Sequence, residues 1–218
     1  MQKLFDGVYA KDKYIYTKNL LVGRRVYGEK LLTQEGVEYR EWDPHRSKYG
    51  AAIKNGLEQN IFFNGCIALY LGSAEGTTVS HVSDIVGADG AVFCVDISEM
   101  AMHKLAKLAE VRTNLFPILS DAQNTNNYKE YFAEKVDALF QDISQRNQAD
   151  IFVRNAQFLK KGGLGALALK TKSISQALTK EEILQGENKI LEKEFEILQI
   201  INIEPYEKHH YLILVKKK

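Results

Sequence analysis

Cysteine is scarce in this chain of 218 residues, with only Cys66 and Cys94 present. Both sit in apolar, strand-like surroundings, with no C-x-x-C spacing and no neighbouring histidine pair. A disulfide framework and a metal site are therefore not expected, and both residues read as buried, reduced thiols of a cytoplasmic protein. No apolar run approaches the roughly 18 residues that cross a bilayer, so no membrane association is expected. The first residues, MQKLFDGVYAKDKYIY, lack a signal-peptide core. Net charge is almost nil at +1, which argues against strong binding of naked nucleic acid by the chain alone. Internal repeats and low-complexity tracts are also missing. What is there is an ordinary globular composition, 45% hydrophobic and 26% charged. The length suits one full α/β domain with a small addition.

The order of patterns divides the chain. GVYA, KYIYTKN, RRVYGEKLLT and VEYREWD alternate polar with β-branched or aromatic residues, and Lys11-Asp12-Lys13 and Gln34-Glu35-Gly36 read as turns between them. A small β-rich N-terminal domain is expected over residues 1–50 and an α/β domain over 51–218. Pro44 and Ser47 precede a helical stretch expected over Lys48 to Gln59. Strands are then expected at Ile67–Leu71, Ala91–Val95, Phe116–Leu119, Val136–Gln141 and Leu164–Leu169. Helices are expected at Thr77–Ile85, Glu99–Val111, Tyr128–Phe132, Asn147–Leu159 and Lys180–Lys193, the last as a solvated face. This alternation predicts a mostly parallel sheet with helices on both faces. The final runs, Phe195–Ile203 and Tyr211–Lys216, are too closely joined for a helical crossover and should pair antiparallel. Residues 1–54 hold eleven lysines and arginines against seven acids. Arg24, Arg25, Lys30, Arg40, Arg46, Lys48 and Lys54 make a candidate track for an RNA backbone, each with a solvated face as its simpler explanation.

The most informative stretch is Ile67 to Ser98, IALYLGSAEGTTVSHVSDIVGADGAVFCVDIS. An apolar strand ends at Gly72, a loop of small residues follows, a helix opens at Gly76-Thr77-Thr78, and a second strand stops on Asp96. This is a β-loop-α-β unit with an acid at its second strand tip, suited to hold an adenosine by its ribose hydroxyls. The loop has only two glycines, short of G-x-G-x-x-G, and no P-loop lysine follows. Glu75 would repel a pyrophosphate, whereas a sulfonium with an amino-acid tail meets no such objection. S-adenosylmethionine fits better than NAD.

The same run, YLGSAEGTTVSHVSDIVGADGAVFCVDIS, closely resembles the fibrillarin family of 2′-O-methyltransferases. WDPHRSKYGAAI, PILSDAQ, VDALFQDISQRNQADIFVRNAQFLKKGG, LALKTKSIS and PYEKHHYLILV continue the likeness in order across nearly the whole chain. The lack of a Gly/Arg-rich N-terminal extension is similar to the family's archaeal form. The resemblance implies a Rossmann-like methyltransferase fold, a seven-stranded sheet with one antiparallel strand. It also implies methylation of rRNA, and in archaea tRNA, at ribose 2′-hydroxyls chosen by a box C/D guide RNA. A scaffold protein and a kink-turn-binding ribosomal protein would complete the particle. A stand-alone methyltransferase and a non-catalytic ribonucleoprotein subunit remain alternatives.

Strand ends give the candidate site: Gly72, Asp96, Ser120-Asp121, Asp142 and Lys170. Gly72 lets the loop approach the cofactor's methionine part, and Thr77 and Thr78 offer helix N-terminal amides and hydroxyls, with capping as the simpler role of Thr78. Asp96 would take the ribose and Ile97 pack on the adenine. The resemblance implies that Asp121 and Ala122 meet the adenine amino group, Asp121 having a turn cap as its alternative. Asp142, Ile143, Ser144 and Gln145 match a family run that borders the cofactor. Lys48, Asp142, Lys170 and His210 match the family's Lys-Asp-Lys-His catalytic set. Lys170 would stabilise the alkoxide or, with a lowered pKa, take its proton, oriented by Asp142. Lys48 would hold the acceptor hydroxyl or a phosphate. Lys172 rivals Lys170, and Asp142 with Lys170 could be a structural ion pair. His209 stands where the family has an acid, and Glu75 could face either the cofactor's ammonium or solvent. His81 and His103 are read as packing or surface residues.

Overall fold

The computed structural model describes residues 1–218. Strands β1 (Gln2–Phe5), β2 (Val8–Lys11), β3 (Tyr14–Lys18), β4 (Leu31–Gln34) and β5 (Val37–Glu41) form an antiparallel sheet in the order β1-β2-β3-β5-β4. Its hairpins turn where the sequence signals them. Lys11 pairs with Tyr14 around Asp12 at φ 54°, and Gln34 pairs with Val37 around Glu35 and Gly36 at φ 52° and 76°. Positive φ at both central residues marks the second turn as type I′, whereas the first has it at Asp12 alone; both kinds suit the twist of a two-residue hairpin.

A short 3-10 turn, Pro44–Arg46, leads into helix α1, Lys48–Lys54. The helix stops well before the expected Gln59. Gly56 takes φ 92° and Leu57 N–H returns to the Ala52 carbonyl at 2.9 Å, closing the last turn. The main sheet comprises β6 (Ile67–Leu71), β7 (Ala91–Asp96), β8 (Leu115–Leu119), β9 (Val136–Gln141), β10 (Leu159–Lys170), β11 (Phe195–Asn202) and β12 (His210–Lys217). Its order is β11-β12-β10-β9-β6-β7-β8, and β12 is antiparallel to both its neighbours while the other pairs are parallel. β10 begins five residues earlier than expected, because Lys160 to Gly163 carry no apolar alternation and span a register shift against β9.

Helices α2 (Thr77–Val86), α3 (Glu99–Ala109), α4 (Gln148–Asn155), α5 (Thr171–Ile174) and α6 (Lys180–Leu191) complete the element order. In place of the helix expected at Tyr128–Phe132 there are short 3-10 turns on either side of Tyr128, whose buried hydroxyl donates to Asn155 Oδ1 at 2.6 Å and lies 2.9 Å from the Ala122 carbonyl. Helix α6 is more than a solvated face: Ile183 and Leu191 are buried, and Glu187 accepts the Ala149 N–H of α4 at 2.9 Å.

Period-two alternation splits the core across the sheet. On β6, Ala68 and Tyr70 join one apolar cluster, whereas Leu69 and Leu71 join the other. The first cluster also holds Val8, Ile15 and Trp42, so the N-terminal sheet shares a core with one face of the main sheet. Ions fasten the same junction. Asp84 of α2 accepts from Arg40 at 2.7 Å, Arg112 at 2.8 Å, Thr17 at 2.8 Å and Leu20 N–H at 3.0 Å. Arg40 also bonds Glu29 at 2.6 Å. Arg40 is fully buried, so it lies off the expected RNA track: its charge is spent on two carboxylates inside the protein. His81 is buried beside it, 2.8 Å from Thr17 and 2.7 Å from Tyr27, and stacked on Trp42. Burial and then the Arg40 and Arg112 charges hold its pKa well below the ordinary value.

Removing one member of such a network strands the others unpaired in a dry interior. Asp84→Ala should therefore lower the unfolding free energy by about 3–5 kcal/mol, read as a fall in the urea midpoint. An unchanged midpoint would mean that water reaches the two guanidinium groups.

Candidate active site

Strands β6, β7 and β8 step outward in one direction, and β9 and β10 in the other. The strand order therefore reverses between β6 and β9, and the loops leaving them part to open a crevice. A cavity of about 400 Å³ lies there, formed by residues that follow four successive strands. Gly72 and Ala74 come from the β6 loop, Asp96 and Ile97 from β7, Ser120, Asp121 and Ala122 from β8, and Asp142 to Gln145 from β9.

Gly72 shows why this chemistry needs that residue. Its φ is 80°, and a Cβ at this position would stand 2.1 Å from the Asp142 carbonyl oxygen. Strand ends β6 and β9 thus touch through bare backbone. Asp96 is fixed by two amides, accepting from Ala74 N–H at 2.8 Å and Ser98 N–H at 2.9 Å. Ile97 beside it is 64% exposed, an apolar side chain held at the cavity rim. Asp121 accepts from Gln123 N–H at 2.9 Å and from Gln145 Nε2 at 3.2 Å. Gln145 also lines the cavity, with its Oε1 buried and unpartnered.

Thr77 and Thr78 do not line the cavity. Helix α2 is entered from Gly76 at φ 96° with no side-chain cap, and Thr78 donates instead to Ser47 Oγ at 3.0 Å. Ser47 in turn caps α1 by accepting Gly50 N–H at 3.1 Å. Glu75 pairs with Lys104 of α3 at 2.5 Å across an exposed surface, which accounts for its charge in this loop.

Asp142 is the link to the second cluster. Its Oδ2 accepts from Lys48 Nζ, the first residue of α1, at 2.9 Å. The expected orienting pair of Asp142 with Lys170 is not formed; β9 ends at Gln141 and the Asp142 carboxylate reaches Lys48, while Lys170 Nζ has no ion pair. Lys170 ends β10 and stands opposite His210 in the antiparallel register. Lys172 lies two residues on, in α5, lining a different crevice with His209. His210 is buried, with Nδ1 2.9 Å from the Lys208 carbonyl. A carbonyl can only accept, so neutral His210 carries its proton on Nδ1 and leaves Nε2 bare; that atom is buried without a partner. Burial first, with Lys48 repelling a second proton, holds its pKa below the ordinary 6.5, against the raising effect of the Lys208 bond.

The sequence profile of the fibrillarin family matches residues 1–218. The chain belongs to the fibrillarin family. It is 44% identical over 219 residues to the fibrillarin-like rRNA/tRNA 2′-O-methyltransferase of Pyrococcus abyssi, covering 98% of this chain and 96% of the relative. Aeropyrum pernix fibrillarin, solved with natively bound S-adenosyl-L-methionine, superimposes with a TM-score of 0.86 at 40% identity, covering 93% of this chain and 88% of that one. A chain of a fibrillarin/Nop5p complex superimposes with a TM-score of 0.89 at 36% identity and covers 100% of both. These likenesses agree with the observed sheet, seven strands with one reversed, and with the S-adenosylmethionine-dependent methyltransferase fold of the family.

Within this fibrillarin fold, several residues near the site are silent in the sequence. Ala74 lines the cavity through loop geometry alone. Ser47 and Thr78 meet across 31 residues, and Gln148 closes on Lys170 across 22. No local spacing signals such contacts.

Gly72→Ala combines a strained φ with a 2.1 Å clash and should lower the unfolding free energy by about 1–3 kcal/mol in chemical denaturation. An unchanged stability would show that the β9 end moves aside freely. His210 should remain neutral in an NMR titration at pH values where an unfolded-state histidine is largely protonated. Because the folded pKa is the lower one, the unfolded chain binds the proton first. The stability tied to neutral His210 is thus complete above 6.5 and is lost as pH falls from 6.5 toward the lowered value. A folded-state midpoint at or above 6.5 would contradict the burial argument.

Proposed function

We propose that this chain transfers the methyl group of S-adenosylmethionine to the ribose 2′-hydroxyl of rRNA and tRNA nucleotides selected by a box C/D guide RNA. The observation that carries the reading is the position of Asp142, which lines the cavity and also holds Lys48, joining a cofactor-sized crevice to a cluster containing Lys170 and His210. The names and bound ligand of the family relatives support the same reading.

The cavity residues fit the adenosyl part of the cofactor. Asp121, steadied by Gln123 N–H and Gln145 Nε2, is an acceptor suited to an exocyclic amino group. Asp96 retains lone pairs for ribose hydroxyls while two backbone amides hold its carboxylate in place. Ile97 and Ile143 give the base apolar cover. Ala122 contributes backbone to the adenine pocket, Gly72 leaves room for the methionine part, and Ser144 completes the wall after β9. Thr77 and Thr78 serve by holding the first turn of α2, Thr78 through Ser47.

When bound, the cofactor supplies an electrophilic methyl on a sulfonium. The chain's own residues then orient the acceptor. Lys48, steadied by Asp142, binds the target hydroxyl or its neighbouring phosphate. Lys170 stabilises negative charge developing on the 2′-oxygen, and His210, opposite it in register, completes the network from its buried place. The division into an N-terminal unit over residues 1–50 and a methyltransferase domain over 51–218 falls within α1, the helix that carries Lys48 to the site.

Target choice is delegated in this proposal. A net charge of +1 supports dependence on partners: the guide RNA, a scaffold protein of the kind seen with a relative as Nop5p, and a kink-turn-binding ribosomal protein. Two buried free cysteines support residence in the reducing cytoplasm. No helix is long and apolar enough to cross a membrane.

The test mixes the protein with labelled S-adenosylmethionine, a box C/D guide, both partner proteins and a matched target, beside a control target with 2′-deoxyribose at the selected nucleotide. Label on the ribose target alone is expected. Equal transfer without guide and scaffold would point to a stand-alone enzyme, and no transfer despite cofactor binding to a structural subunit. Lys170→Ala should cut the guided rate by about 10²–10³-fold while cofactor affinity holds, as expected for loss of a charge-stabilising group. Parallel loss of both would place Lys170 in cofactor binding instead.

A further inference from the structure

Strand β10 outruns its neighbour. The last registered pair between β9 and β10 is Leu167 with Gln141, so Lys170 lies three residues beyond strand support on that side. Its backbone is nevertheless fully engaged there. Gln148 Oε1 accepts the Lys170 N–H at 2.9 Å, and Gln148 Nε2 donates to the Lys170 carbonyl at 3.1 Å. One side-chain amide thus replaces the donor and acceptor that a continuing β9 would have supplied. Gln148 is fully buried at the start of α4. Its own carbonyl accepts from Gln141 Nε2 at 2.7 Å, and Gln141 immediately precedes Asp142.

We propose that Gln148 is the positioning residue of the transfer reaction, fixing Lys170 relative to Asp142 through the chain Gln141–Gln148–Lys170. This rests on the function proposed above. The ion pair that would otherwise do this task is absent, because Asp142 is committed to Lys48. On its other side Lys170 faces His210 in register, and Thr171 N–H bonds the His209 carbonyl at 3.1 Å. The backbone at Lys170 is therefore gripped from both flanks, and only the lysine side chain is left free to follow the acceptor hydroxyl. Gln148 acts through Lys170 and touches no reacting atom.

The test separates the clamp from the chemistry. Gln148→Met keeps the length and removes both hydrogen bonds; Gln148→Leu, which removes both as well, serves in its place where the methionine variant does not fold. Amide hydrogen exchange on the free protein reads the clamp without any reaction: the Lys170 N–H should lose protection in Gln148→Met, while amides in the middle of β10 keep theirs. Guided methyl transfer then reads the consequence. The single-turnover rate should fall about 10–100-fold, the cost of misplacing a reacting group by about 1 Å, with RNA KM and cofactor affinity within about twofold. In a Lys170→Ala background the same substitution should change the rate by less than about twofold, since the group it positions is gone. Equal fractional losses in both backgrounds, a loss confined to KM or cofactor affinity, or retained Lys170 protection would each overturn the proposal. Absence of transfer by the unsubstituted protein would instead strike the functional reading, leaving the exchange result to stand for the clamp alone.

Discussion

The contact on which the rest depends is the one between Gly72 and the Asp142 carbonyl. Strands β6 and β9 run side by side to the point where the order of the sheet reverses, and there a Cβ would stand 2.1 Å from a backbone oxygen. Only a glycine allows the approach, and its φ of 80° turns the loop away as it does so. Asp142 is thereby set at the cavity wall with its carboxylate within reach of Lys48. A wider separation would put the cofactor crevice and the lysine cluster in different places.

The other half of that ion pair arrives by a longer route. Lys48 opens α1, whose start is capped by Ser47, and Ser47 is tied to Thr78 in the first turn of α2. Behind this clasp, Asp84 holds Arg40 from the N-terminal sheet and Arg112 from beyond α3. Such buried charges are expensive to desolvate, and removing one of them leaves its partners uncompensated in the interior. The N-terminal sheet therefore does more than cover an apolar face. It sets where α1 begins, and so where Lys48 stands.

Much of the fold was legible along the chain. The strand boundaries at Ile67–Leu71 and Val136–Gln141 follow from apolar runs bounded by polar or glycine residues, and the antiparallel return of β12 follows from the brevity of its connection. The reading failed where the local signal conflicts with a distant contact. The helix expected to reach Gln59 ends at Lys54 because Gly56 reverses the chain, and the helix expected at Tyr128 becomes two 3-10 turns around a buried hydroxyl. Arg40 looked like part of a basic surface, because a charge has no periodicity that announces burial. Its partners are 11 and 44 residues away.

The sequence by itself determined the class of fold, the strand tips that carry Gly72, Asp96, Asp121 and Asp142, and the presence of Lys48, Lys170 and His210. Those are matters of residue type, spacing and alternation, which are written locally. Tertiary structure alone decided the pairings. It sent Asp142 to Lys48 and left Lys170 to be gripped by Gln148, and it occupied Thr78 with Ser47 and Glu75 with Lys104. The reason is physical. A carboxylate or amide can satisfy any suitable donor within about 3 Å, and which donor lies there depends on how strands and helices from distant parts of the chain close upon one another.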